Sequence, residues 1–290
     1  MKKVFNLVLL FVFAVSFVSC EDSDDSLGEP MLIFKFKLDP TQARLNNLGQ
    51  IATIPAGHAA QSPVFNGISS NYIEMAPLNT TLLGQGQVLY HGAETSVGGA
   101  TAIDFSQAKI VADDEVFMEI PLRFVEPGTY RWMRVSLSYQ NYQISVREAG
   151  TDYAGTLASF VGYNTYIGSF NIGTHAFDVN ANKLQGYWAF ALNDFDYATS
   201  GQAPVGATTV PNPLWNTSPI PDGSCVVTGN FFEPLVISAN EKKDVVVTLS
   251  LSTNQSFEWV DGNGNGKYEP SIGETVVDMG LRGMIPTYTR

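Results

Sequence analysis

Oxygen-bearing side chains alternate with glycine near the C-terminal end of the chain, in residues 261–274, which we call the ion loop. Asp261, Asn263, Asn265 and Lys267 follow one another at intervals of two residues, and Glu269 and Glu274 complete the run. A hard cation such as Ca²⁺ takes about six to eight oxygen ligands, and alternate residues of a tightly curled backbone can supply them. Calcium is therefore the predicted cofactor, with ligands from Asp261, Asn263, Asn265, Lys267 (through its carbonyl), Glu269 and Glu274.

The order Asp-x-Asn-x-Asn-Gly at residues 261–266 resembles the calcium loop of EF-hand and dockerin-like proteins. In that pattern a bidentate glutamate stands at the twelfth position, where this chain has Ile272. Acids stand instead at Glu269 and Glu274, so a two-residue insertion would restore the geometry. The resemblance implies a weak site of the extracellular type. The alternative is an Asn-Gly turn without an ion, because both residues tolerate positive φ.

The elements that position this loop are predicted to be strands. Residues 255–259 before it and 275–279 after it alternate apolar and polar side chains, whereas EF-hand loops lie between helices. Phe257 and Trp259 should form a hydrophobic floor beneath the loop. The ion would then fasten two strands together.

The N-terminal residues 1–19 have the composition of a secretory leader. Two lysines precede an apolar run that is too short to cross a bilayer, and a small residue stands before Cys20. This arrangement resembles the lipobox of bacterial lipoproteins, with Phe17 in place of the more usual leucine. The resemblance implies that Cys20 is lipidated and anchors the mature chain to a membrane. The alternative is ordinary secretion with an incidental cysteine.

An acidic tether follows the cysteine, and we assign residues 20–30 to it. The segment Glu21–Ser26 cannot contribute to a core, and it resembles the acidic export signal of some Gram-negative surface lipoproteins. The expected location is therefore the outer membrane, at the cell surface. A plain spacer at the periplasmic face is the alternative.

The composition narrows the possible partners. The formal net charge is −12, so nucleic acid is not an expected partner. With Cys20 acylated, Cys225 has no second cysteine, and no disulfide framework is predicted.

Residues 31–290 are predicted to form a single all-β domain, an antiparallel β-sandwich with long loop excursions. Aromatic and β-branched residues are plentiful, and no helical periodicity is sustained. The first strand is predicted at 31–38 and a central strand at 184–192. Residues 115–124 contain Pro121, which favours an edge, and should form a hairpin with 130–139.

The order Pro-Gly-Thr-Tyr at residues 127–130, before an alternating strand in a lipoprotein-like chain, resembles the MbnP-like copper-binding lipoproteins. The resemblance implies a sandwich. Copper chemistry in that family depends on His and Trp, and His58, His91 and His175 are isolated in this sequence, so no copper ligand is carried over.

Residues 193–220 form an excursion too long for a simple connection, which makes it a candidate ligand site. Aromatic faces beside carboxylates suit sugar rings. Trp188 alternates within a strand, which favours the core. The candidate ligand-binding residues are Trp215, Asp194, Asp196 and Tyr197.

The sequence thus predicts a calcium-stabilised, non-catalytic binding module, for which glycans are one ligand class. A carbohydrate-active enzyme that uses Asp194 and Asp196 is one alternative, and a copper-binding periplasmic lipoprotein is the other. No nucleophile elbow, zinc-protease helix or phosphate loop is present.

Overall fold

The computed structural model describes residues 28–46, 48–203 and 218–290. The predicted leader, Cys20, most of the tether and Trp215 lie outside these ranges. Strands make up 57% of the structure, and no helix in the described ranges has seven or more residues, which confirms the all-β prediction. None of the helices in these ranges is long and apolar enough to span a bilayer.

Strands alternate with turns along the whole described chain. In order they are β1 Met31–Asp39, β2 His58–Gln61, β3 Val64–Ala76, β4 Gln87–His91, β5 Glu94–Thr95, β6 Ala102–Asp104, β7 Val116–Pro121, β8 Gly128–Glu148, β9 Thr151–Phe160, β10 Asn164–Ile172, β11 His175–Leu184, β12 Tyr187–Leu192, β13 Ala198–Gln202, β14 Cys225–Ile237, β15 Val245–Ser252, β16 Phe257–Val260, β17 Val276–Met279 and β18 Arg282–Thr289.

Two sheets pack face to face to form a sandwich. One has the order β18-β15-β1-β7, and it packs against β3, β8 and β14 of a larger sheet. Alternate residues of β1 and β15 are buried in the interface, as the period of two requires. The β1–β15 pair is parallel, so the sandwich is not purely antiparallel.

Strand β7 lies at the edge of its sheet, as Pro121 predicts. The predicted hairpin between residues 115–124 and 130–139 is wrong, because β7 pairs with β1 while β8 pairs with β3, β9 and β14. A single turn of 3-10 helix, Leu122–Phe124, separates β7 from β8.

Strand β8 is 21 residues long, and it belongs both to the sandwich and to the extension of the large sheet beyond the sandwich. Its first part, Gly128–Leu137, pairs with β14 within the sandwich. Its last part, Tyr139–Glu148, pairs with β9 beyond the sandwich. The sheet continues from β9 through β12 to β13, so the predicted central strand, β12, lies one strand from the edge.

The extension of the sheet has apolar residues on both faces. The hairpin β10–β11 packs on one face, against Phe160, Tyr187 and Ala189. The hairpin β16–β17 packs on the other face, against Ile144, Val146 and neighbouring residues. This second hairpin confirms the strands predicted on either side of the ion loop.

Candidate calcium loop and ligand cleft

The carboxylate of Asp261 lies at the centre of the ion loop. Its Oδ1 accepts hydrogen bonds from the backbone N–H of Gly264 at 2.9 Å and of Asn265 at 3.2 Å. Its Oδ2 accepts one from Gly266 at 2.9 Å. Both glycines have φ near +70°, a conformation that other residues rarely adopt. The glycines therefore allow the backbone to curl around the aspartate.

Two amide side chains of the loop meet at one carboxylate oxygen of Glu269. The amide nitrogens of Asn263 and Asn265 donate to Glu269 Oε2 at 2.7 and 2.5 Å. Their amide oxygens accept from the backbone, and Asn263 Oδ1 accepts from the Asn265 N–H at 3.1 Å. The Lys267 N–H donates to Asn265 Oδ1 at 2.7 Å, which fixes the next step of the curl.

Glu274 closes the loop from its far end. This side chain is buried, its Oε1 accepts from the Gly262 N–H at 3.1 Å, and its Oε2 accepts from the Glu269 N–H at 2.7 Å. A 3-10 turn at Pro270–Ile272 and a positive φ at Gly273 accommodate the two extra residues. Glu274 therefore joins the start of the loop to its second half through backbone hydrogen bonds.

The side chains of the ion loop offer oxygen atoms, the donor type that a hard cation takes. Within residues 28–46, 48–203 and 218–290, no three His, Cys, Asp or Glu side chains form a metal-binding group. An ion in this loop would therefore need the amide oxygens of Asn263 and Asn265 and the Lys267 carbonyl as well as carboxylates. Such an oxygen-only shell suits Ca²⁺.

The ion loop is attached to the end of the β8–β9 hairpin. Asp152 binds Arg147 Nε at 2.6 Å and Lys267 Nζ at 3.0 Å, and the Arg147 N–H donates to the Tyr268 carbonyl at 2.7 Å. The hydrogen bond from Arg147, with that from Lys267, lowers the pKa of Asp152 to about 2. Ion pairs and a backbone hydrogen bond thus connect the loop to the large sheet.

The predicted hydrophobic floor is present. Phe257 and Trp259 are both buried, and the Tyr268 ring lies 5.3 and 5.7 Å from their ring centroids. Burial, with the nearby Glu274 charge, raises the pKa of Tyr268 to about 12. The aromatic cluster joins the ion loop to the β16–β17 hairpin.

A cleft of about 1160 Å³ lies between this hairpin and the extended part of the large sheet. One wall is formed by alternate residues of β8, β9, β12 and β13, and the other by the hairpin and by the end of the ion loop. The lining includes Ile144, Val146, Glu148, Tyr153, Leu157, Ser159, Val161, Gln185, Trp188, Phe190, Phe195, Tyr197, Thr199, Tyr268, Pro270, Ser271, Val276, Asp278 and Met279.

Aromatic side chains surround the end of the cleft nearest the ion loop, which we call the rim: Tyr153, Phe195, Tyr197 and Tyr268. The rings of Tyr153 and Phe195 meet edge to face at 5.3 Å. Phe195 and Tyr197 are 53% and 52% exposed, so much of each ring remains available to a ligand.

Only part of the predicted ligand site is brought together. Tyr197 lines the cleft, but Asp194 and Asp196 are exposed and do not. The turn after β12 directs Phe195 and Tyr197 toward the cleft, while Asp196 lies 3.8 Å from His175 Nδ1 on β11. The two aspartates therefore lie outside the described lining of the cleft, and their role in ligand binding stays a prediction.

Trp188 is half-buried and lines the cleft, where the sequence favoured the core. A Cβ added at Gly201 would lie 2.8 Å from the indole, so the glycine on β13 gives the ring its space. The sequence of β12, Tyr187–Leu192, is apolar on both faces. This pattern is typical of a strand covered on both sides and was a signal for the cleft.

The three histidines lie on different strands, β2, β4 and β11, with different acidic neighbours. His58 Nδ1 is 2.5 Å from Glu258, and His91 Nε2 is 3.5 Å from Glu94. Glu258 also pairs with Arg44, whose Nη2 is 3.6 Å from Asp278. This buried charged group lies behind the β16–β17 hairpin and joins it to the loop before β2.

No family model, curated protein or solved structure matches this chain.

Proposed function

We propose that this protein is a lipid-anchored, calcium-stabilised binding module of the outer membrane, without a catalytic role, and that its ligand binds in the cleft. The observation that supports the proposal most is the cleft. Its volume of about 1160 Å³ is slightly above the range of about 300–1,000 Å³ that is usual for ligand sites, which are mostly apolar with a few polar groups. Anchoring through Cys20 and exposure at the cell surface are proposed from the leader and the acidic tether.

A non-catalytic role is favoured by the carboxylates near the ligand. Among the described residues that line the cleft, the acids are Glu148 and Asp278. Asp278 is 3.6 Å from Arg44, and Glu148 is exposed. Glycoside hydrolysis needs two carboxyl groups placed across the bond that is cleaved, and this pair supports binding better than hydrolysis.

The proposed calcium ion supports the cleft. Residues Tyr268, Pro270 and Ser271 belong to the ion loop and line the cleft at its rim. An ion held by Asp261 and Glu274 would therefore fix the shape of one wall. Glycans remain a candidate ligand class, because aromatic rings at the rim suit the C–H faces of a sugar.

The test removes two rim aromatics, Phe195 and Tyr197, which are half exposed, so their loss should leave the fold intact. We expect the double variant Phe195→Ala/Tyr197→Ala to lose about tenfold in affinity, because each ring contact contributes about 0.5–1.5 kcal/mol. Quenching of tryptophan fluorescence, with a glycan panel and a neutral hydrophobic dye as ligands, measures the change.

The matched control is Phe232→Ala, since Phe232 is 92% exposed on β14 and does not line the cleft. Equal affinity in the double variant and the wild type would contradict a ligand site in the cleft.

A further inference from the structure

We propose that the ligand of the cleft is an uncharged amphiphile, with an apolar chain in the inner part and a sugar or other hydroxylated head at the rim. This inference rests on the proposed function and narrows it to a class of ligand.

The charges around the cleft exclude anionic ligands. No Lys, Arg or His belongs to the described part of its lining, which contains two acids, Glu148 and Asp278. A carboxylate, sulfate or phosphate placed in the cleft would lose its hydration without gaining a positive partner, and this costs free energy. The lining therefore disfavours a negatively charged ligand.

Cationic ligands gain little from the same two acids. Asp278 already faces Arg44, whose Nη2 lies 3.6 Å from its Oδ2. Glu148 is exposed at the end of β8, where solvent screens its charge. Neither acid is placed to neutralise a cation deep inside the cleft. An uncharged ligand fits best.

The length of the cleft indicates an extended ligand. It follows β9 from Tyr153 at the rim to Val161 at the inner end, about 26 Å at the usual rise of a strand. The sheet wall of the inner part carries Ile144, Leu157 and Val161. An apolar chain would bury its surface against these side chains.

Apart from Asp278, which faces Arg44, the polar groups of the inner part are uncharged. Ser159 is 1% exposed, and its Oγ has no hydrogen-bond partner among the described residues. Gln185 lies nearby, and its Nε2 donates to the Val161 carbonyl at 2.8 Å. A buried hydroxyl without a partner favours a ligand that carries an uncharged oxygen.

The rim suits a hydroxylated head. The rings of Tyr153, Phe195 and Tyr197 offer faces to C–H groups, and the Tyr197 and Ser271 hydroxyls offer hydrogen bonds. A neutral sugar presents both kinds of surface.

Displacement of the neutral dye Nile red from the full chain in calcium tests the inference. The competitors share a twelve-carbon chain and differ in charge: dodecyl maltoside, dodecanoate and dodecyltrimethylammonium, each below its micelle concentration, with maltose for the head alone. We expect dodecyl maltoside to displace the dye at a concentration at least tenfold lower than any other competitor.

A charge reversal at the rim sharpens the test. Glu148→Lys should raise the ratio of dodecanoate affinity to dodecyl maltoside affinity several-fold over the wild type. The control is Glu119→Lys, because Glu119 is an exposed acid on β7 and does not line the cleft. The control should change neither ligand.

The remaining results of the displacement experiment each contradict a different part of the proposal. Equal or better displacement by dodecanoate or by the cation contradicts the uncharged class. Displacement by maltose alone contradicts the apolar chain but keeps a ligand site in the cleft. If neither Nile red nor any competitor binds the wild type, the proposed function itself fails.

Discussion

At the scale of single residues, Asp261 organises the ion loop through three backbone N–H groups, and the proposed ion would share its carboxylate. We expect calcium removal by a chelator to lower the melting temperature by about 5 °C or more, because an ion that binds only the folded state stabilises it. Asp261→Ala should melt lower than the wild type in calcium and respond little to the chelator. Differential scanning fluorimetry measures both effects.

The control for this prediction is Asp194→Ala, since Asp194 is exposed and lies outside the ion loop. It should keep the full response to calcium. If Asp261→Ala melted like the wild type in excess calcium, the proposed ion would have no stabilising role.

At the scale of elements, Asp152 links the end of the β8–β9 hairpin to the ion loop. The hydrogen bond from Arg147, with that from Lys267, lowers the pKa of Asp152 to about 2 from an ordinary value of 3.8. The folded state therefore favours the charged form, so this contribution to stability is full above pH 4 and is lost as the pH falls toward 2. We expect Asp152→Asn to melt below the wild type at pH 5–7, with a difference that shrinks toward pH 2. Circular dichroism melts across this range measure it.

Asp178→Asn, at an exposed acid on β11, is the control and should show no such pH-dependent difference. A constant difference between Asp152→Asn and the wild type from pH 7 to pH 2 would contradict a role for the ionised carboxylate.

Local patterns in the sequence predicted where strands lie better than which strands pair with each other. Alternation identified the first strand and both strands beside the ion loop, because the period of two records which face is buried. It did not reveal that β1 pairs in parallel with β15, more than two hundred positions later. Pro127-Gly128 suggested a hairpin, but the turn at residues 122–124 separates β7 from β8. Partners depend on which apolar faces meet in the whole fold.

The candidate site was likewise predictable only in part from the sequence. The ion loop could be identified as a candidate because all its predicted ligands lie within one short segment. The cleft could not, because its walls come from segments that are far apart in sequence, and the direction of Asp194 and Asp196 depends on how one turn is packed.

At the scale of the whole molecule, the ion loop forms part of one wall of the cleft in which we propose that the ligand binds. We expect chelation of calcium to weaken binding of dodecyl maltoside about fivefold, because Tyr268, Pro270 and Ser271 lose their fixed positions. By reciprocity, the ligand should strengthen calcium binding by the same factor. Isothermal titration calorimetry, with each partner present and absent, measures the coupling.

Asp261→Ala should remove this coupling, while Asp194→Ala should preserve it. Identical ligand affinities with and without calcium would show that the ion and the cleft act independently.

Strand β8 supplies Met133, Val135 and Leu137 to the sandwich core, and Ile144 and Val146 to the cluster beside the cleft. The boundary between the two halves therefore runs through the middle of one continuous strand. A recombination or truncation point placed there would remove pairing partners from both sides. The cleft is thus not a separable module, and any effort to graft it onto another scaffold must carry the sandwich with it.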